Sequence, residues 1–118
     1  MPLNADQLKG MWAALPATWT LQDQLDEDTT RENVRRMCRA GVHGVYTHGT
    51  TGEFYAQSEE EWRRVARATI EESKAHRVAC QIGCTALWTG EVIRRAEFAQ
   101  KNRSGRGPDG VSFLDGID

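Results

Sequence analysis

The chain has 118 residues, of which 39% are hydrophobic and 27% charged, and its net charge is −2. This length suits one domain, and the balanced charge gives no reason to expect a nucleic-acid or membrane-surface partner. No apolar run approaches the roughly 20 residues of a membrane span, and the start MPLNADQLKG lacks a secretory signal pattern, so we expect a cytoplasmic protein.

The first predicted elements are a strand, a helix and a second strand. The apolar run MWAAL, residues 11–15, predicts a buried strand that stops at a proline. Thr29 or Thr30 is the candidate N-cap of a helix whose inner face carries apolar residues at helical spacing: Val34, Met37 and Cys38. Gly41 ends this helix and leads directly into VHGVY, residues 42–46, the second strand candidate.

The next predicted helix has the clearest signals in the chain. Residues 58–61, SEEE, match the S-x-x-E capping box and place acids at the positive end of the helix. The residues that follow form one mostly apolar face, with Trp62, Val65, Ala66, Thr69 and Ile70 at helical spacing.

The remaining elements repeat the same order. Residues 78–82, VACQI, predict a third strand, and Thr89 is expected to cap a helix with the inner face Val92, Ile93, Ala96 and Ala99. Residues 110–114, GVSFL, are a weaker fourth strand. Met11, Val42, Val78 and Val111 open the strand regions at intervals of 31, 36 and 33 residues, which is typical of a parallel α/β sheet or barrel.

The polar stretch before the fourth strand and the three cysteines provide no candidate functional site. Residues 101–109, KNRSGRGPD, are polar and glycine-rich and predict a surface loop, the alternative being a sequence disturbed by truncation or frame change. Cys38, Cys80 and Cys84 lack the C-x-x-C spacing of zinc and redox sites, and no histidine completes a ligand set with them. We therefore expect buried, reduced thiols and no metal.

The candidate site is the loop GTTGE, residues 49–53, which directly follows the second strand. In parallel α/β folds, ligands bind at the carboxyl ends of the strands. Glycine allows close backbone approach, and threonine hydroxyls next to main-chain N–H groups suit a small anion such as a carboxylate or phosphate. The loop is neither a Walker A loop nor a dinucleotide fingerprint, and a purely structural strand-to-helix turn is the alternative.

The wider context resembles one enzyme family. AGVHGVYTHGTTGEFYAQSEEEWRRV, residues 40–65, is similar to the N-terminal part of the dihydrodipicolinate synthase/N-acetylneuraminate lyase family, whose G-[ST]-[ST]-G-E signature the loop matches in full. Residues 11–19 resemble the first strand of that family, and residues 78–84 with the following helix resemble its third unit. The match departs at Ala17-Thr18, where many relatives have Thr-Pro.

The resemblance implies a fold and a chemistry. The fold would be the N-terminal portion, about four βα units, of a TIM (β/α)8 barrel, so that residues 1–118 form a partial domain that is incomplete at the C-terminus. The family members are pyruvate-dependent lyases and aldolases, usually homotetramers, that bind pyruvate or a 2-keto acid as a lysine Schiff base without a cofactor. By this resemblance Thr50 and Thr51 bind the carboxylate and Thr50 joins a proton relay. Gly49 and Gly52 let the backbone approach the substrate, and Glu53 is mainly structural, bonding neighbouring backbone rather than reacting.

The reacting lysine of that family has no counterpart in this sequence. The chain has only Lys9, Lys74 and Lys101, all predicted to be solvated, whereas the family lysine comes from a sixth barrel strand. We therefore expect a fragment that is inactive by itself. A non-catalytic half-barrel that binds a small carboxylate or another protein chain is the first alternative, and an unrelated α/β domain with a structural GTTGE turn is the second.

Overall fold

The computed structural model describes residues 5–6, 8–103 and 111–114. Their four strands form one all-parallel sheet in the order β1-β2-β3-β4, so each strand pairs with the next along the chain. The elements are β1 (Trp12–Ala14), α1 (Glu27–Arg39), β2 (Gly44–Thr47), a short 3-10 helix (Phe54–Ala56), α2 (Glu59–Ala75), β3 (Ala79–Gly83), α3 (Thr89–Arg103) and β4 (Val111–Leu114). The prediction of parallel strands alternating with helices is confirmed.

The two faces of the sheet differ. Val45 of β2 and its neighbours Cys80 and Ile82 of β3 are buried in the core formed with the helices. Because side chains alternate along a strand, Tyr46 and its register partner Gln81 lie on the opposite face, where both are half-buried. The helices therefore cover one face, and Tyr46 belongs to the other.

Helix α2 forms as its sequence predicts. The Ser58 hydroxyl accepts a hydrogen bond from the Glu61 N–H, and the Glu61 carboxylate accepts one from the Ser58 N–H, which completes the capping box. The predicted inner face is buried in full: Trp62, Val65, Ala66, Thr69 and Ile70. Trp62 is completely buried and contacts the Phe98 ring of α3 edge-on, at 5.9 Å between ring centroids.

The start of α1 differs from the prediction. Its N-cap is Asp26, three residues before Thr29, because the Asp26 carboxylate accepts hydrogen bonds from both the N–H and the hydroxyl of Thr29. Thr30 lies inside the helix, where its buried hydroxyl donates to the Asp26 carbonyl and lies 2.6 Å from the Thr18 hydroxyl. The predicted inner residues Val34 and Cys38 are buried, and Met37 packs against them.

Helix α3 also departs from its predicted pattern. Thr89 is its first residue rather than its cap, since the Trp88 carbonyl accepts the N–H groups of Glu91 and Val92. Ile93 is 43% exposed, and the inner position is taken by Arg95, which is buried. The aliphatic part of a long side chain can cover an apolar surface when its charged end finds partners, and the guanidinium of Arg95 finds them in the Thr85 carbonyl and Glu59.

The other predictions have mixed outcomes. Residues 101–103 continue α3 instead of forming a loop, and residues 104–109, the rest of the glycine-rich stretch, lie outside the described residues, as does residue 110 of the predicted fourth strand. All three cysteines are buried, as expected. Within the described ranges no helix is long and apolar enough to cross a membrane.

Candidate functional site

The GTTGE loop lies at the carboxyl end of β2 and is built from two overlapping turns. The Gly52 N–H donates to the Gly49 carbonyl, and the Glu53 N–H donates to the Thr50 carbonyl, each at 3.0 Å. Glu53 has a φ of +50° and ends the loop, after which the 3-10 helix begins. This geometry places Thr50 and Thr51 at the exposed apex of the loop.

The apex has hydrogen-bond donors that the protein does not use. Within the described residues, the main-chain N–H groups and the hydroxyls of Thr50 and Thr51 have no hydrogen-bond partner. The expectation that Glu53 bonds neighbouring backbone is correct only for its main chain, since its side chain makes no hydrogen bond among the described residues. Adjacent N–H and O–H donors at the end of a strand suit an anionic ligand such as a carboxylate.

Close packing against the backbone requires glycine at Gly52, whereas Gly49 lies against the end of a side chain. A methyl group on Gly52 would lie 2.8 Å from the His48 main-chain nitrogen and 3.3 Å from the Leu15 carbonyl oxygen. A methyl group on Gly49 would overlap the Tyr46 hydroxyl. Gly52 therefore allows the loop to lie directly on the chain that follows β1 and β2.

Beneath the loop, two buried polar side chains that the sequence analysis did not single out hold it in place. The Gln57 amide donates to the Gly52 carbonyl at 2.8 Å, and its oxygen lies 3.1 Å from Nε2 of His48. Because the amide nitrogen is the donor to Gly52, the amide oxygen must accept, so the proton of His48 is on Nε2. The His48 ring stacks on Trp62 with 4.8 Å between centroids.

His48 is a neutral structural group. Burial lowers its pKa from 6.5 to about 3, and the nearby charge of Arg95 acts in the same direction against the hydrogen bond to Gln57. Its Nδ1 is buried without a partner among the described residues. Its φ of +64° is uncommon for a residue with a side chain, and this sharp bend directs the chain from β2 into the loop. In the sequence, the signals that could have revealed these two buried side chains are the histidine and the glutamine on either side of the GTTGE motif.

Replacing Gln57 with leucine is expected to lower the free energy of unfolding by about 1.5 kcal/mol, because the Gly52 carbonyl and the His48 Nε2–H lose their buried partner. Urea denaturation measures this change. Gln100→Leu on the exposed surface of α3 is the matched control and should change stability by less than about 0.5 kcal/mol. Equal stability of the two variants would contradict the structural role of Gln57.

A cavity of about 350 Å³ lies beside the loop rather than at it. It is lined by residues 54, 55 and 57 after the loop, residues 85–88 after β3, and Glu91 and Arg95 of α3. The guanidinium of Arg95 already forms an ion pair with Glu59 and donates a hydrogen bond to the Thr85 carbonyl. Neither Thr50 nor Thr51 lines this cavity, so the candidate site is the apex of the loop itself.

The three lysines lie away from the loop. Lys9 precedes β1, Lys74 is in the last turn of α2 before β3, and Lys101 is near the end of α3. The ends of these helices and the start of β1 lie toward the amino ends of the strands, opposite the edge that carries GTTGE. In the part of the chain that the structure describes, no group of three His, Cys, Asp or Glu side chains could hold a metal ion.

Comparison with known proteins identifies relatives of this chain. The pattern of the dihydrodipicolinate synthetase family matches residues 7–114. The chain is 34% identical over 98 residues to N-acetylneuraminate lyase of Enterobacter sp. (strain 638), an alignment that covers 82% of the chain and 32% of the relative. It is 36% identical over 96 residues to 4-hydroxy-tetrahydrodipicolinate synthase of Methanopyrus kandleri, covering 80% of the chain and 31% of that enzyme.

Solved structures of the same family are similar to the structure of this chain. N-acetylneuraminate lyase from Mycoplasma synoviae superimposes with a TM-score of 0.79 at 28% identity, covering 85% of this chain and 34% of that one. A prophage protein of the dihydrodipicolinic acid synthase family from Escherichia coli K12, solved in complex with pyruvate, gives a TM-score of 0.76 at 28% identity, covering 90% and 34%. The chain spans about a third of the length of the curated relatives that it matches.

Proposed function

The chain belongs to the dihydrodipicolinate synthetase family, and from this premise we propose that it carries the carboxylate-binding part of a pyruvate-dependent lyase or aldolase. The observation that supports this most directly is the set of unused donors on Thr50 and Thr51 at the carboxyl end of β2. Named relatives are lyases, and one structural neighbour binds pyruvate. The substrate class proposed here is pyruvate or another 2-keto acid.

The proposed roles are those that the family resemblance implies, and the unused donors at the apex of the loop support them. Thr50 and Thr51 hydrogen-bond the carboxylate, and the Thr50 hydroxyl also joins a proton relay, since a hydroxyl can both accept and donate. Gly49 and Gly52 bring the backbone of the loop near the ligand, and Glu53 is structural. These residues belong, in our proposal, to a partial (β/α)8 barrel formed by residues 1–118, whose parent enzyme is a cytoplasmic homotetramer that needs no cofactor.

The chemical step would use a lysine outside these 118 residues. Imine formation between a lysine amine and the keto group of pyruvate requires a lysine in a partly desolvated pocket next to the bound carboxylate. Lys9, Lys74 and Lys101 lie toward the opposite edge of the sheet. We therefore propose that this chain alone binds the substrate but forms no imine, and that the parent enzyme condenses pyruvate with an aldehyde or cleaves a 2-keto acid to pyruvate.

Replacing Thr51 with valine is expected to weaken pyruvate binding at least tenfold, because one charge-assisted hydrogen bond to the carboxylate is lost. Titration of the chain with pyruvate, followed by NMR, measures this affinity. The control is Thr89→Val, a change at an exposed threonine in the first turn of α3, which should bind like the wild-type chain. Equal affinities of Thr51→Val and wild type would count against the proposed role of the loop.

Borohydride reduction in the presence of pyruvate tests the second half of the proposal. Reduction of an imine leaves a stable adduct on the lysine that formed it, and mass spectrometry locates that lysine. We expect no adduct on this chain. A specific adduct on Lys9, Lys74 or Lys101 would overturn the proposal that the reacting lysine lies elsewhere.

The position of the lysines also supports a second candidate function. A non-catalytic partial barrel that binds a small carboxylate or another protein chain needs the loop but no reacting lysine. The discriminating experiment is the same borohydride reduction on the protein as its native gene encodes it. An adduct on a lysine outside residues 1–118 favours the lyase, whereas pyruvate binding without any adduct favours the binding protein.

A further inference from the structure

Tyr46 lies directly under the candidate carboxylate site and has no role in the interpretation of the sequence. It is the third residue of β2, between Val45 and Thr47, both of which are buried on the helix-covered side. Strand alternation therefore directs the half-buried phenol to the uncovered face of the sheet. That face carries no helix in the described part of the chain.

The hydroxyl of Tyr46 reaches the base of the loop. It lies so close to Gly49 that a methyl group on that residue would overlap it. Gly49 directly precedes Thr50 in the chain, so the phenol oxygen lies one residue from the first of the two threonines whose N–H groups are unused. Among the described residues the Tyr46 hydroxyl, like these N–H groups, has no hydrogen-bond partner.

An unused hydroxyl at this place has a physical consequence. A hydroxyl that loses water without gaining a partner costs on the order of 1–3 kcal/mol, so a ligand that covers Tyr46 must satisfy its O–H group or bind more weakly. A carboxylate has two oxygens with about four lone-pair positions. Two threonines and one phenol can supply these oxygens with donors without placing a positive charge in the site.

We propose that Tyr46 is a ligand-contacting residue whose hydroxyl donates a further hydrogen bond to the anion held by Thr50 and Thr51. This inference rests on the proposed function, since it assigns a third side chain to the same site. The phenol also forms the floor of the site on the uncovered face of the sheet.

The test uses the only other tyrosine of the chain as its control. Tyr46→Phe and Tyr55→Phe each remove one phenol oxygen, but Tyr55 is 66% exposed on the 3-10 helix after the loop. Titration with pyruvate should show affinity about tenfold weaker for Tyr46→Phe and within about twofold of wild type for Tyr55→Phe. In the wild-type chain, the ring resonances of Tyr46 should shift during the titration while those of Tyr55 stay in place.

The outcomes separate this inference from the function on which it rests. If wild type binds pyruvate, Thr51→Val does not, and Tyr46→Phe binds as tightly as wild type, then Tyr46 is no ligand and the proposed function stands. Unchanged Tyr46 resonances in saturated wild-type protein would overturn the inference in the same way, even if Tyr46→Phe were poorly folded. A wild-type chain that does not bind pyruvate would overturn the proposed function, and the role of Tyr46 with it.

Discussion

Replacing Gly83 with alanine is expected to lower the free energy of unfolding by about 3 kcal/mol, since a well-packed interior has no room for an added methyl group. Gly83 is the last residue of β3 and is buried against the end of β2. A methyl group there would lie 2.6 Å from the His48 carbonyl oxygen and 3.0 Å from the Thr47 carbonyl oxygen. Both are backbone atoms, so the two strands would have to separate. Chemical denaturation of the wild type and the variant measures the loss.

The control for Gly83→Ala is the same substitution at Gly90. A methyl group on Gly90, in the first turn of α3, meets only the ring of Trp88, which is 56% exposed and can rotate away. Alanine is also the better helix former, so Gly90→Ala should remain within about 1 kcal/mol of wild type. Gly83→Ala should also weaken pyruvate binding, because the loop follows the displaced end of β2. Equal stability of the two variants would show that the strand ends are not in close contact.

The accuracy of the sequence predictions depends on how local each signal is. The start and inner face of α2 could be predicted to the residue because a capping box and a helical period involve only neighbours in the chain. The N-cap of α1 could not, since Asp26, Thr29 and Thr30 are all good capping residues. The Asp26 carboxylate caps the helix through Thr29, while the hydroxyl of Thr30 lies against that of Thr18, twelve positions away.

Buried polar side chains were the main omission. Arg95 occupies the inner position expected for Ile93 because it finds Glu59 on α2 and a carbonyl after β3, and neither partner is visible in the local pattern. His48 and Gln57 are buried for the same reason. In each case the hydrogen bonds offset the cost of burial, and those bonds exist only once the elements are packed.

The position of the candidate site could be predicted, but its hydrogen bonding could not. A loop between a strand and a helix in a parallel sheet must lie at the carboxyl edge, and the GTTGE loop does. Only the structure shows that Thr50 and Thr51 keep unused N–H groups while the N–H groups of Gly52 and Glu53 close the turns. The close contact between Gly49 and Tyr46 likewise requires knowledge of side-chain direction.

Acidification from pH 7.5 to 5 is expected to lower the free energy of unfolding by about 2 kcal/mol through His48 alone. Burial holds the pKa of His48 near 3 in the folded chain, compared with 6.5 for an ordinary histidine. Between these values the unfolded chain binds a proton that the folded chain cannot, so stability falls as the pH drops below about 6.5. The loss continues to grow until the pH approaches 3, where both states are protonated.

The variant that isolates this effect is His48→Asn. Asparagine tolerates the positive φ of +64° at this position and does not titrate. His43 and His76 are present in both proteins, so their contributions cancel in the comparison. Urea denaturation at pH 7.5, 6.5, 5.5 and 5 should show a decline for wild type that is largely absent from the variant. Parallel declines would mean that His48 gains its proton in the folded state, which contradicts a buried neutral ring that donates to Gln57.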